Sequence, residues 1–518
     1  MYTDVITEIA RFKAGRIHVA RAGLATQARL CVDMLQQGRG MAWVVKNRDE
    51  LLTARALMRL FSPELSSGDF LPDAFDKGGW TSLPPFSPRS ANREGWTERL
   101  SALYALRSGQ AKGLILTADN LLPKLVPLDF FENREVTLIR GEDVSLDMIL
   151  EQAVEWGYER VSMVSNPGEI ARRGDILDIM PPGYDKPIRL DFFGDLIEEI
   201  RLFDPVSQRS KANLSEVRVL PVSPIRQSPA DQAKMQARWK SLFQKNMLTE
   251  NERFGLTRLQ EQGDFRLLPG CCYDTATNLE AWLPADTVWV LPGLSDFRDM
   301  LSSAERLWTE AFEAQDVEGR PQPQRLAMRE ASDVESACER FACVHAEPLV
   351  MGIAKGIHDL PERSLSSFED LFPSTADQDR PWQTLVQALK RWQNDKRQTI
   401  LCFASEKSRT KFLNLASQDG LSPLLRYSGE QHGLFALVAP FRAGAELIWD
   451  QSLILGEDLL QPHAEKSRRV PTGAFKGLDR YDELKPGDLL VHRDYGIARF
   501  GGLLRMETGS TANDFLLL

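Results

Sequence analysis

The chain has 518 residues, 43% of them hydrophobic and 26% charged, with a formal net charge of -10 and a pI near 5.4. That length predicts about three to five domains, and the composition is that of a folded protein, not a disordered one. An acidic chain is a poor candidate for tight, non-specific duplex binding, which needs clustered Lys and Arg to displace counterions.

The first segment alternates short apolar runs with helical periodicity. Residues 16–20 read as a strand, 25–37 as a helix, 41–45 as a strand, 49–60 as a helix and 113–117 as another strand. This is the pattern of a parallel sheet covered by helices. Between Ser62 and Trp96 closely spaced prolines, as in Leu83-Pro84-Pro85-Phe86-Ser87-Pro88, forbid a regular helix. A helix then runs to about Leu106. From about Glu135 to Val222 alternating strands and tight turns take over, with one helix near 146–156. Helical and mixed patterns return to about Ala331, and a fresh α/β pattern follows, with a strand at 399–404, a helix at 407–418 and a strand at 445–449. Residues 461–477 are polar, basic and punctuated by Pro and Gly, which reads as a linker. The last 40 or so residues return to strand and turn signals.

Two absences bound the chemistry. The strand–turn–helix at Ala20, Gly23 and Thr26 has the layout of a phosphate loop. A working loop also needs a Lys for the terminal phosphates beside the Ser or Thr that holds magnesium. No Gly-Lys pair occurs anywhere in the chain. Gly23 reads as a plain strand-to-helix turn, or as a nucleotide fold that has lost its nucleotide; ATP binding and catalysis are not expected. The six cysteines (Cys31, Cys271, Cys272, Cys338, Cys343, Cys402) are too few and scattered for a disulfide framework. Cys338, Cys343 and His345 fit no zinc spacing, so no metal is expected. Without a leader or a span-length apolar stretch, the expected location is cytoplasmic and off the membrane.

The most informative stretch runs from Met163 to Asp204. Gly194-Asp195 is a hairpin signal between alternating runs. Period-two arithmetic places Ile188, Leu190 and Phe192 toward a core and Arg189, Asp191 and Phe193 outward. A three-residue turn would place Ile200 and Leu202 in the core and leave Ile197, Glu199, Arg201 and Phe203 outward. On residue types alone, Phe193 is either an interface anchor or an ordinary exposed ring folded against a loop.

The run Pro167-Gly168-Glu169, Arg173-Gly174, Asp178-Ile179 ending in Pro, then Arg189-Leu190-Asp191-Phe192-Phe193-Gly194-Asp195 resembles domain 2 of the excision-repair protein UvrB. It also resembles the matching domain of the transcription-repair coupling factor (Mfd) family. The resemblance implies docking onto UvrA through Arg173, Arg189 and Phe193, with Asp195 and Glu198 as further positions. The stretch from Leu484 to Gly502 resembles the start of that family's CarD-like RNA-polymerase-interacting domain. It places Leu503, Leu504, Arg505, Met506 and Glu507 where a contact strand for the RNA polymerase β subunit is expected. The run at 514–518 reads as an unpartnered strand, the third of a barrel that needs about five, and the chain is read as a fragment.

The implied fold class is multidomain α/β. A degenerate RecA-like, UvrB-like domain (1–134 and 223–331) holds an inserted mixed α+β UvrA-binding domain (135–222). A small α/β domain of unassigned role (332–460), a linker (461–478) and a partial SH3-like β-barrel (479–518) follow. The resemblance further implies a C-terminal ATP- and magnesium-dependent motor carrying the double-stranded DNA contacts, and an autoinhibitory domain, both outside this sequence. A UvrB-like helicase subunit and a CarD-like transcription regulator remain as alternatives.

Overall fold

The computed structural model describes residues 2–11, 14–62, 79–205, 207–347, 357–374, 379–427, 432–460, 489–492, 496–508 and 511–517. It divides into a large unit, Met1–Pro462, and a small one, His463–Leu518. The chain opens with α1 (Tyr2–Arg11), β1 (Gly15–Ala20), α2 (Leu24–Gln36), β2 (Met41–Val45), α3 (Arg48–Phe61), β3 (Trp80–Leu83), α4 (Arg93–Arg107) and β4 (Gly113–Thr117). It then leaves this sheet for β5 (Val136–Ile139), α5 (Leu146–Glu155), β6 (Glu159–Arg160), β7 (Glu169–Arg173), β8 (Ile176–Ile179), β9 (Ile188–Phe193), β10 (Leu196–Phe203), β11 (Ser210–Leu214) and β12 (Glu216–Val219). It returns through the helices Pro229–Gln244 and Glu250–Glu261, then β13 (Val288–Pro292), the helix Leu294–Val317, β14 (Ala342–Glu347) and β15 (Ile357–Asp359).

The first sheet is seven-stranded in the order β15-β1-β14-β13-β2-β4-β3, and every pairing is parallel. The neighbouring strands β13 and β2 are apolar at every position because both faces are covered. In β2, Ala42 and Val44 enter one core, and Met41, Trp43 and Val45 the other. The periodicity at 332 reads as the start of a new α/β segment, yet β14 and β15 belong to this first sheet, with Gly15 opposite Ala342. Strand period carries no information about which distant strand is the partner. The strand β3 inside the Pro-rich stretch also escapes the sequence reading.

The inserted domain pairs a six-stranded sheet, β11-β10-β9-β8-β7-β6, with the short β12-β5 pair. Its core holds Ile149 and Leu150 of α5 against Ile170, Leu177, Ile188, Leu190, Ile200 and Leu202. The second α/β layer comprises β16 (Glu362–Leu365), the helix Pro381–Asn394, β17 (Gln398–Phe403), the helix Glu406–Gln418, β18 (Leu434–Val438), β19 (Gly444–Leu447) and β20 (Ser452–Gly456). Its mixed sheet runs β16-β19-β20-β17-β18.

In the small unit, β21 (Leu489–His492) pairs with β22 (Gly496–Arg499), and β23 (Gly502–Thr508) with β24 (Thr511–Leu517), both antiparallel. The terminal apolar run is therefore not unpartnered: Leu516 stands opposite Leu503 and Phe515 opposite Leu504. Among the described residues of this unit, four strands form two separate pairs, where three strands of a partial barrel were expected. The expected linker, 461–478, lies outside the described residues.

All six cysteines are buried free thiols. Cys343 donates to the Cys338 carbonyl, and the buried His345 sits with Nδ1 3.2 Å from the Pro292 carbonyl oxygen. Among the described residues no helix is long and apolar enough to cross a membrane.

Candidate partner-binding face

The face of the inserted sheet opposite α5 gathers the residues singled out from the sequence. Cross-strand pairing sets Ala171 beside Asp178, Asp178 beside Arg189, and Arg189 beside Arg201. The next row sets Arg173 beside Ile176, Ile176 beside Asp191, and Asp191 beside Glu199. Phe193 ends the face, opposite Leu196. Arg173, Arg189 and Phe193 thus share one surface, away from the core.

The three are not equivalent. Phe193 is 74% exposed, a large apolar side chain left almost wholly in water. Arg173 is exposed and gives Nη2 to the Ser162 carbonyl at 2.6 Å. Arg189 is held by its own domain. Its Nε and Nη2 reach the two carboxylate oxygens of Asp178 at 2.7 and 2.8 Å. Nη2 also meets Gln208 Oε1 at 3.1 Å, and the guanidinium lies 4.5 Å above the Phe203 ring. The Asp178 hydrogen bonds hold the Arg189 guanidinium above its ordinary pKa range. The expected free Arg189 is therefore an internally paired one. Asp178, only 2% exposed, is a site residue that the sequence reading quoted without giving it this role.

The hairpin differs from expectation in a second way. Its turn has two residues, Gly194 and Asp195, with Gly194 at φ +62, which suits glycine. Taken alone, that turn would push Glu199 into the core. A β-bulge between Ile197 and Glu199 absorbs one residue and restores Ile200 opposite Leu190. Ile197, expected outward, is consequently buried with Ile200. Phe203, also expected outward, is buried beneath the Arg189 guanidinium. Arg140 donates Nε to the carbonyl of Glu198 at 2.9 Å and steadies the bulge. Asp195 and Glu198 are exposed at the same end as Phe193. Arg201 pairs with Asp191 and, at 3.4 Å, with Glu199.

The turn chemistry around Pro167 is structural. The Glu169 carboxylate accepts the backbone N–H groups of Ser165 and Asn166 at 2.7 and 2.9 Å, fixing the loop that enters β7. In the small unit Leu503, Leu504, Arg505, Met506 and Glu507 all fall within β23, in register with β24.

At the strand–turn–helix read from the sequence as a phosphate-loop layout, Ala20 ends β1 and Gly23 precedes α2. The first-turn N–H groups of Ala25 and Thr26 are taken by the carboxylate of Glu362, at 3.2 and 2.7 Å. Burial raises the Glu362 pKa, opposed by the Thr26 and Ala25 donors. A carboxylate standing where a phosphate would bind, and no Lys after Gly23, do not fit a nucleotide. The sequence reading missed Glu362 because its contact crosses more than three hundred positions.

Residues 136–224 match the UvrB interaction domain family, and residues 484–518 the CarD-like/TRCF RID domain family. The transcription-repair-coupling factor of Myxococcus xanthus is 28% identical over 484 residues, covering 84% of this chain and 38% of that protein. That of Escherichia coli K12 is 26% identical over 471 residues, covering 85% and 38%. That of Haemophilus influenzae is 27% identical over 500 residues, covering 90% and 40%. The chain thus spans about two-fifths of the length of these curated relatives. With residues 136–224, which carry the Phe193 face, matching the UvrB interaction domain and its last residues matching a CarD-like domain, the chain is similar to the transcription-repair coupling factors over most of its own length.

Proposed function

We propose that this chain is a non-enzymatic recruitment scaffold of transcription-coupled DNA repair. The outer face of the inserted sheet docks UvrA, and the CarD-like strands engage the RNA polymerase β subunit through 503–507. The single observation that carries the first part is the 74% exposed Phe193, on the same face as Arg173 and beside exposed Asp195 and Glu198. An exposed ring ringed by charges is how interface anchors are built. Arg173 offers a guanidinium for a partner carboxylate. Arg189 serves the face indirectly, by neutralising Asp178 and covering Phe203. In this reading ATP, magnesium, DNA translocation and most contacts with double-stranded DNA belong to a motor elsewhere in the full-length protein. So does the autoinhibitory domain that masks the docking face.

The test is surface-immobilised UvrA with this chain in solution. Phe193→Ala and Arg173→Ala are expected to weaken binding, each with its circular dichroism spectrum unchanged. Undiminished binding by both would remove the face from the mechanism. A parallel measurement with the isolated polymerase β subunit, and charge reversal at Arg505, examines the second contact.

A further inference from the structure

The first turn of an α-helix leaves N–H donors without intrahelical partners, and its positive dipole end favours an anion. In α2 the anion comes from the chain itself. Glu362 lies on β16, the edge strand of the five-stranded layer. The chain reaches it by running along β1, with Leu360 N–H donating to Ala20 O and Glu362 N–H to Arg21 O, both at 3.0 Å. Its two carboxylate oxygens then divide the donors: Oε1 takes Ala25 N–H and Oε2 takes Thr26 N–H. Thr26 is fully buried, and its hydroxyl accepts the indole N–H of Trp449, from the same layer, at 3.0 Å. A Cβ on Gly23 would stand 2.4 Å from the Glu362 carboxyl carbon. A side chain at that position would have to displace the carboxylate, so the glycine needs no phosphate to explain it.

We propose that the vestigial nucleotide pocket has become a latch, in which Glu362 replaces a phosphate on α2 and fastens the five-stranded layer to the seven-stranded one. The neighbouring contacts fit a fastened joint. Arg29 of α2 reaches Tyr427 Oη at 3.1 Å, and Tyr2 stacks on Trp449 at 4.2 Å. Ile400, Cys402, Phe435 and Ile454 share one core with Cys31, Val32 and Trp43. While the carboxylate is in place it excludes other anions by volume and by charge. Its removal leaves a helix terminus that accepts inorganic phosphate. The inference stands apart from the partner-binding reading and does not depend on it.

The test is amide hydrogen exchange on the whole chain, resolved at Ala25 and Thr26 by selective labelling. In the unaltered chain both amides are expected to be protected, and inorganic phosphate at constant ionic strength to change nothing. Glu362→Ala is expected to speed their exchange by about tenfold or more, the scale of losing a hydrogen bond to a charged acceptor. The later turns of α2 should stay protected, and phosphate should restore the first turn. Glu362→Gln keeps the side-chain volume but turns one acceptor into a donor, so one of the two amides should lose protection; this variant decides the matter if the alanine form does not fold. Equal first-turn exchange in all three chains, or a phosphate response in the unaltered chain matching that of Glu362→Ala, overturns the latch.

Discussion

Arg189 and Asp178 face each other across the β8–β9 ladder, joined by two parallel hydrogen bonds of 2.7 and 2.8 Å. The carboxylate is almost fully buried, and the guanidinium is its visible source of compensating charge. Removing one member of such a pair leaves an uncompensated buried charge, a loss of about 3–5 kcal/mol. Arg189→Ala should destabilise the inserted domain on that scale. Asp178→Ala combined with Arg189→Ala should cost less than the sum of the two single changes. Urea unfolding of the four chains in a double-mutant cycle measures this; additive losses would show that the pair is not coupled. A UvrA assay on Arg189→Ala alone would report folding as well as contact.

Phe193 offers the opposite balance. With three-quarters of its surface in water, truncation removes little packing, and Phe193→Ala should change the unfolding free energy by no more than about 0.5 kcal/mol. If the ring is a central anchor, the same change should weaken UvrA binding by about 2 kcal/mol or more, roughly thirtyfold. A large stability loss with unchanged affinity would reverse the assignment, making Phe193 a structural residue.

The contrast between these two residues marks where the sequence was legible. Alternation along 188–193 assigns both to the outer face, and the structure agrees, because strand side chains take opposite sides in strict turn. Alternation cannot say that the residue across the ladder from Arg189 is a buried carboxylate. Nor can it count the residues in a turn. A two-residue turn with a bulge and a three-residue turn without one give the same core positions for Ile200 and Leu202, and Ile197 and Glu198 are the positions that differ. The strands β14 and β15 and the residue Glu362 were illegible for one reason. Each is defined by a contact with the first strand or helix of the chain, from which more than three hundred residues separate it.

The bulge itself can be tested by length. Deleting Glu198 removes the absorbed residue and leaves a regular ladder in the same register, with Ile197 opposite Phe192, Glu199 opposite Asp191 and Ile200 opposite Leu190, so the single-deletion chain should stay folded. Deleting Glu198 and Glu199 together should slip the register by one, turning Ile200 outward and Arg201 into the core position opposite Leu190. The double deletion should abolish folding of the inserted domain, read as lost solubility or rapid proteolysis within 136–224. Glu198→Ala keeps the chain length and the backbone carbonyl that Arg140 holds, so it should cost no more than about 0.5 kcal/mol. A soluble, protease-resistant double-deletion chain, or a single-deletion chain that fails to fold, would show that the register is not set here.

The acid limit of the large unit should trace to His345. This side chain in β14 is 2% exposed and stacks on His18 at 5.5 Å. Burial, chiefly, holds its imidazole below the ordinary value of 6.5, with the neighbouring His18 adding to the effect; the Pro292 carbonyl and Glu347 oppose it. The folded state therefore favours the neutral ring, while the unfolded chain takes up the proton as pH falls through about 6.5. Its contribution is present above that pH and is lost as the pH drops toward the depressed folded value. Thermal midpoints of the whole chain should fall between pH 7.5 and 5.5 more steeply than those of His345→Gln, which has no proton to take up in that window. The difference between the two curves isolates this group from the carboxylates, which titrate mainly at lower pH. Parallel curves would show that another group sets the limit.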